Sequence, residues 1–367
     1  MLRRERTLLV SVFSAILFLL YGDQWMTMLG NPLWFAGISI WLFGVILFAS
    51  IGAVRHAEIL AGKLGEPYGT LILTIAVTTI EVTMIANVML SGENNQEFAR
   101  DTMFAVVMIV VNGLVGLSLL LGALRFHEQQ YNLQGANAYL VVIIPLAGFG
   151  LILPDFTTST SDQSLSNFQA AFLVLMSLGL YLAFLLIQTR RHQSYFVMGL
   201  ESSQQVAGET TLRSPMIYSM SGHILLLMGY LLSVILLAEK IARPVDYSIE
   251  VLGAPIALGG FFVASLILAP EAMSGIRAAM QNNLQRAVNI LLGSVLATIS
   301  LTIPAVLIIS LITNQHIILG LPDSQTVLLV VTLMVSMMTF SSARTNILQG
   351  AVHILLFLAY IMLIFQP

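Results

Sequence analysis

Glu81 is the only charged residue between Pro67 and Leu90, and Glu271 is the only one between Val251 and Ile276. Each stretch is long enough to cross a bilayer, which takes roughly 20 apolar residues. A carboxylate at that depth costs on the order of a few kcal/mol, so such groups face a bundle interior and meet something positive. Two of them in separate segments predict a site where metal cations and protons compete.

The neighbours of each acid fit that chemistry. Thr70, Thr74, Thr78 and Glu81 recur at helical spacing and draw one polar stripe on an apolar cylinder. Hydroxyl oxygens beside a carboxylate are hard ligands suited to Ca²⁺, Na⁺ or Mg²⁺; the competing role for each threonine is a bond to its own backbone. Pro270 precedes Glu271 and lacks an N–H, so the carbonyl of Leu266 loses its helical donor beside the acid. Asn112 on one later segment, and Ser294 with Thr298 on another, are either further ligands or interhelical packing groups. The site expected from the sequence is therefore Glu81, Glu271, Thr74, Thr78, Asn112, Ser294 and Thr298, with the two glutamates holding the metal. His223 and His353 lie in apolar segments as neutral hydrogen-bonded groups or proton relays. Glu66 is expected to serve the dipole of the helix that follows it.

The elements that must carry these residues are membrane helices. The 367 residues are 57% apolar and 9% charged, with a mean hydropathy of +0.91, whereas soluble domains carry about 25% charged residues. The absence of cysteine excludes disulfides and thiolate metal sites. Apolar runs and turn residues predict eleven spans near 8–28, 33–53, 67–91, 101–124, 137–154, 168–188, 215–238, 249–276, 286–313, 325–342 and 347–365. The tenth is short, with a polar end at Ser336, Thr339, Ser341 and Ser342. The run behind Arg3, Arg4 and Arg6 is read as a retained helix, since no small-residue cleavage site follows. The segment His56–Gly65 reads as a short amphipathic piece at the inner interface that lies flat or starts the third helix.

With a cytoplasmic N-terminus, twelve of the 15 basic residues fall inside and only Arg100, Lys240 and Arg243 outside. Eleven spans then put the C-terminus outside. The outer loops hold Glu93, Glu97, Asp101, Asp155, Asp162, Glu239, Asp246 and Asp323, an acidic rim that either gathers cations or is simply solvated.

Glu81 falls on span three and Glu271 on span eight. An odd offset means opposite helix directions, the mark of an inverted repeat with ion sites near the midplane. The run from Gly116 to Gly122 resembles that from Thr298 to Pro304, a register that pairs Asn112 with Ser294. The expected fold is thus all-α and polytopic: an N-terminal helix (1–30), a first five-helix repeat (31–189), a cytoplasmic linker (190–214) and a second, inverted five-helix repeat (215–367).

The run HAEILAGKLGEPYGTLILTIAVTTIEVTMI resembles the first signature repeat of the cation/Ca²⁺ exchanger superfamily, and APEAMSGIRAAMQNNLQRAVNILLGSVLATISLTIP resembles the second. The nearest likeness is to its bacterial calcium–proton (sodium/potassium–proton) antiporter branch. That resemblance implies one membrane glutamate from each repeat at a central cation site, here Glu81 and Glu271. Proton-coupled members often carry Gly-Asn-Ala-x-Glu; here Thr78 and Leu268 stand where the amide would be, and Ala297 where a glutamine often is. The implied activity is export of Ca²⁺, with Na⁺ or K⁺ accepted, in exchange for protons, across a bacterial cytoplasmic (inner) membrane. The alternatives are a primarily monovalent cation/proton antiporter or a cation channel with acidic pore residues. The partners implied are inorganic cations, protons and the lipid bilayer, without nucleic acid or a resident cofactor. No HExxH or comparable catalytic spacing occurs, so enzymatic activity is not expected.

Overall fold

Lipid offers no partner for backbone N–H and C=O groups, so apolar segments that cross it must close their hydrogen bonds internally, as helices. The computed structural model describes residues 5–65, 68–91, 96–158, 164–197, 218–313 and 317–366. Glu66, Glu93, Asp162 and the linker beyond 197 fall outside the described residues, as does the side chain of Thr70. Among the described residues ten helices are long and apolar enough to span a membrane: α1 (Arg6–Met26), α2 (Pro32–Leu64), α3 (Tyr68–Ser91), α4 (Phe98–Phe126), α5 (Leu133–Phe156), α6 (Asn167–Arg191), α7 (Met220–Glu250), α8 (Ile256–Met280), α9 (Leu284–Thr313) and α11 (Ile347–Phe365). The expected tenth span is α10 (Asp323–Thr339), an apolar helix of 17 residues. Its polar end at Ser341 and Ser342 falls outside the helix. The protein is an all-α polytopic membrane protein.

Two expectations fail at helix ends. The segment His56–Gly65 is not a separate interfacial piece. It continues α2, which runs 33 residues, about 50 Å at 1.5 Å per residue. His56, Ala57 and Leu60 are buried, so the inward face persists, and only Gly65, at φ +65°, ends the helix. Likewise α7 does not stop near residue 238. Leu237, Ala238, Ile241 and Ala242 keep an apolar stripe buried past the first charges, and the helix carries Glu239, Lys240, Arg243 and Asp246 to Glu250. Asp101 is not a rim residue either. Together with Arg100 it is buried in the first turn of α4, the two joined at 2.8 Å, while Arg100 also donates to the carbonyl of Gly320.

By contact the chain forms two units: Met1–Phe98 with Gly208–Pro270, and Ala99–Ala207 with Glu271–Pro367. These interleave along the sequence, whereas the proposed repeats follow one another, so the two divisions describe different properties. In the first unit α7 packs along α1, α2 and α3. Small residues Ala49, Ala53 and Ala57 of α2 meet Tyr230, Val234 and Leu237 of α7 in one buried cluster. In the second unit α11 packs on α4, α9 on α5, and α6 on the last part of α9. A two-residue antiparallel pairing, β1 (Gln129–Gln130) with β2 (Arg344–Thr345), ties the turn after α4 to the turn before α11. Beside it the Tyr131 hydroxyl donates to the carbonyls of Ser342 and Thr339. Burial pushes its pKa up, so it stays a donor across the physiological range.

The α4–α11 crossing is backbone against backbone. A Cβ at Gly350 would sit 2.6 Å from the Leu120 nitrogen and 2.9 Å from the Gly116 oxygen. Such small-residue contacts are how membrane helices approach closely. Gly350→Val is expected to destabilise the protein by roughly 1–3 kcal/mol, read as a lower thermal unfolding midpoint in detergent. Gly179→Ala, where an added Cβ meets nothing within 4 Å, should leave the midpoint unchanged or slightly raised.

Candidate functional site

Glu81 sits on α3 in the first unit, 2% exposed, with its Oε1 sealed from solvent. Thr74 and Thr78 precede it by seven and three residues, which places all three on one face of the helix. The adjacent threonines Thr78 and Thr79 behave differently. Thr79 bonds back to the carbonyl of Ile75 at 2.7 Å, the self-contained role that membrane threonines commonly take. The Thr78 hydroxyl is buried and has no hydrogen-bond partner among the described residues. A buried hydroxyl that does not bond back to its own helix is free to act as an oxygen donor toward a cation.

Glu271 opens the second unit's share of α8. It is half-buried, with Oε2 sealed from solvent. Pro270 lies inside this helix, so the Leu266 carbonyl is without its usual donor. One turn on, Gly275 lets α9 close in: a Cβ there would lie 2.9 Å from Leu291.

The later helices carry a feature that apolar periodicity does not announce. Met108–Leu114 of α4 and Thr298–Thr302 of α9 are π-helical, and so are Gly148–Ile152 and Ile187–Arg191. A π turn inserts a residue into the helix and breaks its regular carbonyl pairing, a device common at functional sites. Asn112 lies inside the first of these and Thr298 begins the second. Ser294 lies one turn before Thr298, half-buried in ordinary α-helix, whereas Thr298 is 2% exposed.

The structure spends the Asn112 amide on its own unit. Its Nδ2 donates to Thr332 on α10 at 2.8 Å, and its Oδ1 lies 3.1 Å from His353 Nδ1 on α11. His353 Nε2 is in turn 3.0 Å from the hydroxyl of Thr339. All four side chains are buried. His353 is therefore the hydrogen-bonded histidine of the two readings made from sequence, and Asn112 is a knot between three helices. The partners Thr332 and Thr339 were not singled out from the sequence as members of a network. The signal was present only as hydroxyls punctuating the short tenth span.

At the end of α3 beyond Glu81, a cavity of about 590 Å³ is lined by Asn87 and Leu90, by Asp23 of α1, and by Glu239, Lys240 and Arg243 of α7. Lys240 reaches Glu239 at 3.0 Å and Asp23 at 3.5 Å. The rim expected to be acidic is mixed in sign here.

With this geometry in place, the chain can be set beside known proteins. The sodium/calcium exchanger protein family matches residues 34–190 and 222–366. The Escherichia coli protein named sodium-potassium/proton antiporter ChaA is 38% identical over 362 residues, covering 99% of this chain and 96% of that one. The Sinorhizobium fredii protein y4hA, named for ionic transport, is 41% identical over 321 residues, 87% of this chain and 86% of that one. Among solved structures, native YfkE superposes with a TM-score of 0.72 at 18% identity over 98% of this chain and all of that one, a likeness of fold.

Removing the Asn112 amide tests the knot. Asn112→Leu keeps the volume and leaves Thr332 and His353 each short of a partner, so stability should fall by about 1–3 kcal/mol. Thermal unfolding in detergent checks this, and His353→Ala in the same background should cost much less than it does alone, because the pair shares one interaction.

Proposed function

Because the chain belongs to the sodium/calcium exchanger protein family, we propose that it is a secondary antiporter that expels cations in exchange for protons, with Glu81 and Glu271 as the shared acids. The observation that carries this reading is the pair of lone membrane carboxylates, each with an oxygen sealed from solvent. Each lies beside an oxygen released from ordinary helical bonding: the Thr78 hydroxyl by one, the Leu266 carbonyl by the other. Thr74, Thr298 and Ser294 are further ligand candidates. Asn112 acts through the backbone of its π turn, since its amide is committed elsewhere.

Two ionised carboxylates neutralise one Ca²⁺, two monovalent cations or two protons. The empty, doubly negative site is costly in a low-dielectric interior, which suppresses movement of the unloaded carrier and couples the two fluxes. In the proposed shared site the two acids would titrate as a pair, one apparent pKa raised. In this reading the repeats 31–189 and 215–367 are related by inverted topology, and alternating access comes from their relative rocking about the site. Basic residues on the inner side support an N-terminus in the cytoplasm and insertion in a bacterial inner membrane.

The cargo we propose is Ca²⁺ with Na⁺ or K⁺ also accepted. The similarity to a sodium-potassium/proton antiporter supports the monovalent part. The charge of the carboxylate pair supports the divalent part. Purified protein in liposomes is the test, with Ca²⁺, Na⁺ and K⁺ supplied separately across pH. Cation-driven proton movement should be saturable and show counterflow, which a channel lacks. Glu81→Gln and Glu271→Gln should each reduce it to background while the protein still inserts and elutes as a single species. Near-normal exchange by both variants would refute the shared-site mechanism.

A further inference from the structure

Six polar side chains outside the proposed exchange site meet in the first unit, at the start of α1, the end of α2 and the start of α7. Glu5 is 7% exposed, His56 1%, His223 2% and Tyr230 fully buried. Glu5 Oε2 accepts from Arg55 Nη2 at 2.7 Å and from the Tyr230 hydroxyl at 2.9 Å. It also lies 3.4 Å from His56 Nε2. The Thr7 hydroxyl, 2.6 Å from the Tyr230 oxygen, completes the set as donor. On the other side of the ring, His56 Nδ1 faces His223 Nδ1 at 2.8 Å. The packing is shaped to this arrangement: the Tyr230 ring occupies the space where a Cβ of Gly52 would be, and it stacks on His56 with centroids 5.6 Å apart.

The two imidazoles count protons. Ring nitrogens facing at 2.8 Å form a hydrogen bond only if one of them carries a hydrogen and the other a lone pair. Two neutral rings satisfy that. One added proton makes His56 an imidazolium whose Nδ1–H is given to His223 and whose Nε2–H turns to Glu5 at 3.4 Å, in place of the Arg55 Nη2 that lies 3.3 Å from the same nitrogen, so the bond between the two rings is kept. A second proton puts N–H against N–H between two like charges, and the contact cannot persist. The charged and titratable groups around the pair bear on both steps. They are Glu5 from α1, Arg55 and Lys63 from α2, and Tyr230 from α7 with Tyr218 just before it, whose ring lies 5.6 Å from that of His223. The neighbouring α3 carries Glu81 as the charged group among its described side chains.

We propose that His56 and His223 form a proton-binding site that fastens α2 to α7 when it holds at most one extra proton and releases them on taking a second. The site lies at the end of the unit that the distribution of basic residues puts on the cytoplasmic side. Resting on the antiporter reading, this makes the inner proton concentration a regulator of exchange, slowing proton entry once the interior is acid.

The chain has no cysteine, so spin labels can be placed directly at Phe48→Cys on α2 and Leu225→Cys on α7, both exposed. Histidine ¹⁵N spectra of the full chain, titrated from alkaline to acid, should show the pair protonating in two steps separated by more than about one pH unit. The label-to-label distance should lengthen only through the second step, and it should stay fixed over the same range in His223→Gln. A single step at the ordinary histidine value, two steps without a distance change, or a distance change that survives in His223→Gln would each overturn the latch. The spectra need no histidine substitution, so they decide the matter even where His223→Gln fails to fold. Neither readout depends on transport. In liposomes, the slowing of exchange at acid inner pH should be relieved in His223→Gln, while the pH dependence imposed by Glu81 and Glu271 remains; slowing equal to that of the unsubstituted protein overturns the regulatory half alone.

Discussion

The cost of placing charge in a medium that cannot solvate it governs this molecule. An ionised side chain inside the bilayer must be paired, hydrogen-bonded or matched by a cargo ion. The chain meets that demand in different ways at different depths. Arg100 and Asp101 are adjacent residues that neutralise one another in a single helical turn. Glu5 is neutralised by Arg55 and held by Tyr230. Lys240 covers Asp23 and Glu239. Glu81 and Glu271 lie in the middle of apolar stretches with no basic residue in either. Neighbours in sequence compensate Arg100 and Asp101, whereas Glu5 and Asp23 draw on partners from other helices. For Glu81 and Glu271, a mobile cation or proton is the compensation that the proposed activity provides.

The helices themselves were legible because the same cost writes them into the sequence: long apolar runs punctuated by charge and turn residues. The places where that reading failed share a cause. A composition shift marks where lipid ends, not where a helix ends. His56–Gly65 looked like an interfacial piece because charges interrupt it, yet His56 is buried beside Glu5, and the helix continues until Gly65 takes a φ of +65°. The charged continuation of α7 follows the same rule, its buried stripe of Leu237, Ala238, Ile241 and Ala242 outlasting the hydropathy signal. Proline was a weak guide as well: Pro145, Pro244 and Pro270 all lie inside helices, as neighbouring membrane helices permit.

Of the candidate site, the acids and the threonine face were visible in spacing, whereas the π turns and the partners of Asn112 were not. A π insertion has no composition of its own. A network such as Asn112–His353–Thr332 joins residues more than 200 positions apart, so only tertiary packing assembles it. The histidine pair is the same case in the first unit: His56 and His223 are separated by 167 positions, and each alone reads as an ordinary polar residue in an apolar helix. The two units are also held by different chemistry. The second combines glycine-mediated backbone contact with the buried Arg100–Asp101 pair and the Asn112–His353 network. The first carries a cluster with two histidines in direct contact.

The supply of oxygen ligands bears on which cations the proposed carrier accepts. Ca²⁺ takes six to eight oxygens at about 2.3–2.6 Å, and sites bind it more tightly as ligand charge and rigidity rise. Two carboxylates can offer at most four oxygens. In the proposed site the Thr78 hydroxyl and the Leu266 carbonyl would add to these, with Leu268 offering no side-chain oxygen. Water must complete the shell of a large divalent ion in such a site, which lowers the benefit of double charge over single charge. The same shortage costs Na⁺ or K⁺ less, because each brings a smaller hydration penalty to be replaced. In the proposed site, an oxygen-poor pair of acids would couple cation to proton by charge balance while discriminating weakly by coordination number. On that proposal, breadth of cargo would follow from Thr78 and Leu268, and coupling from Glu81 and Glu271.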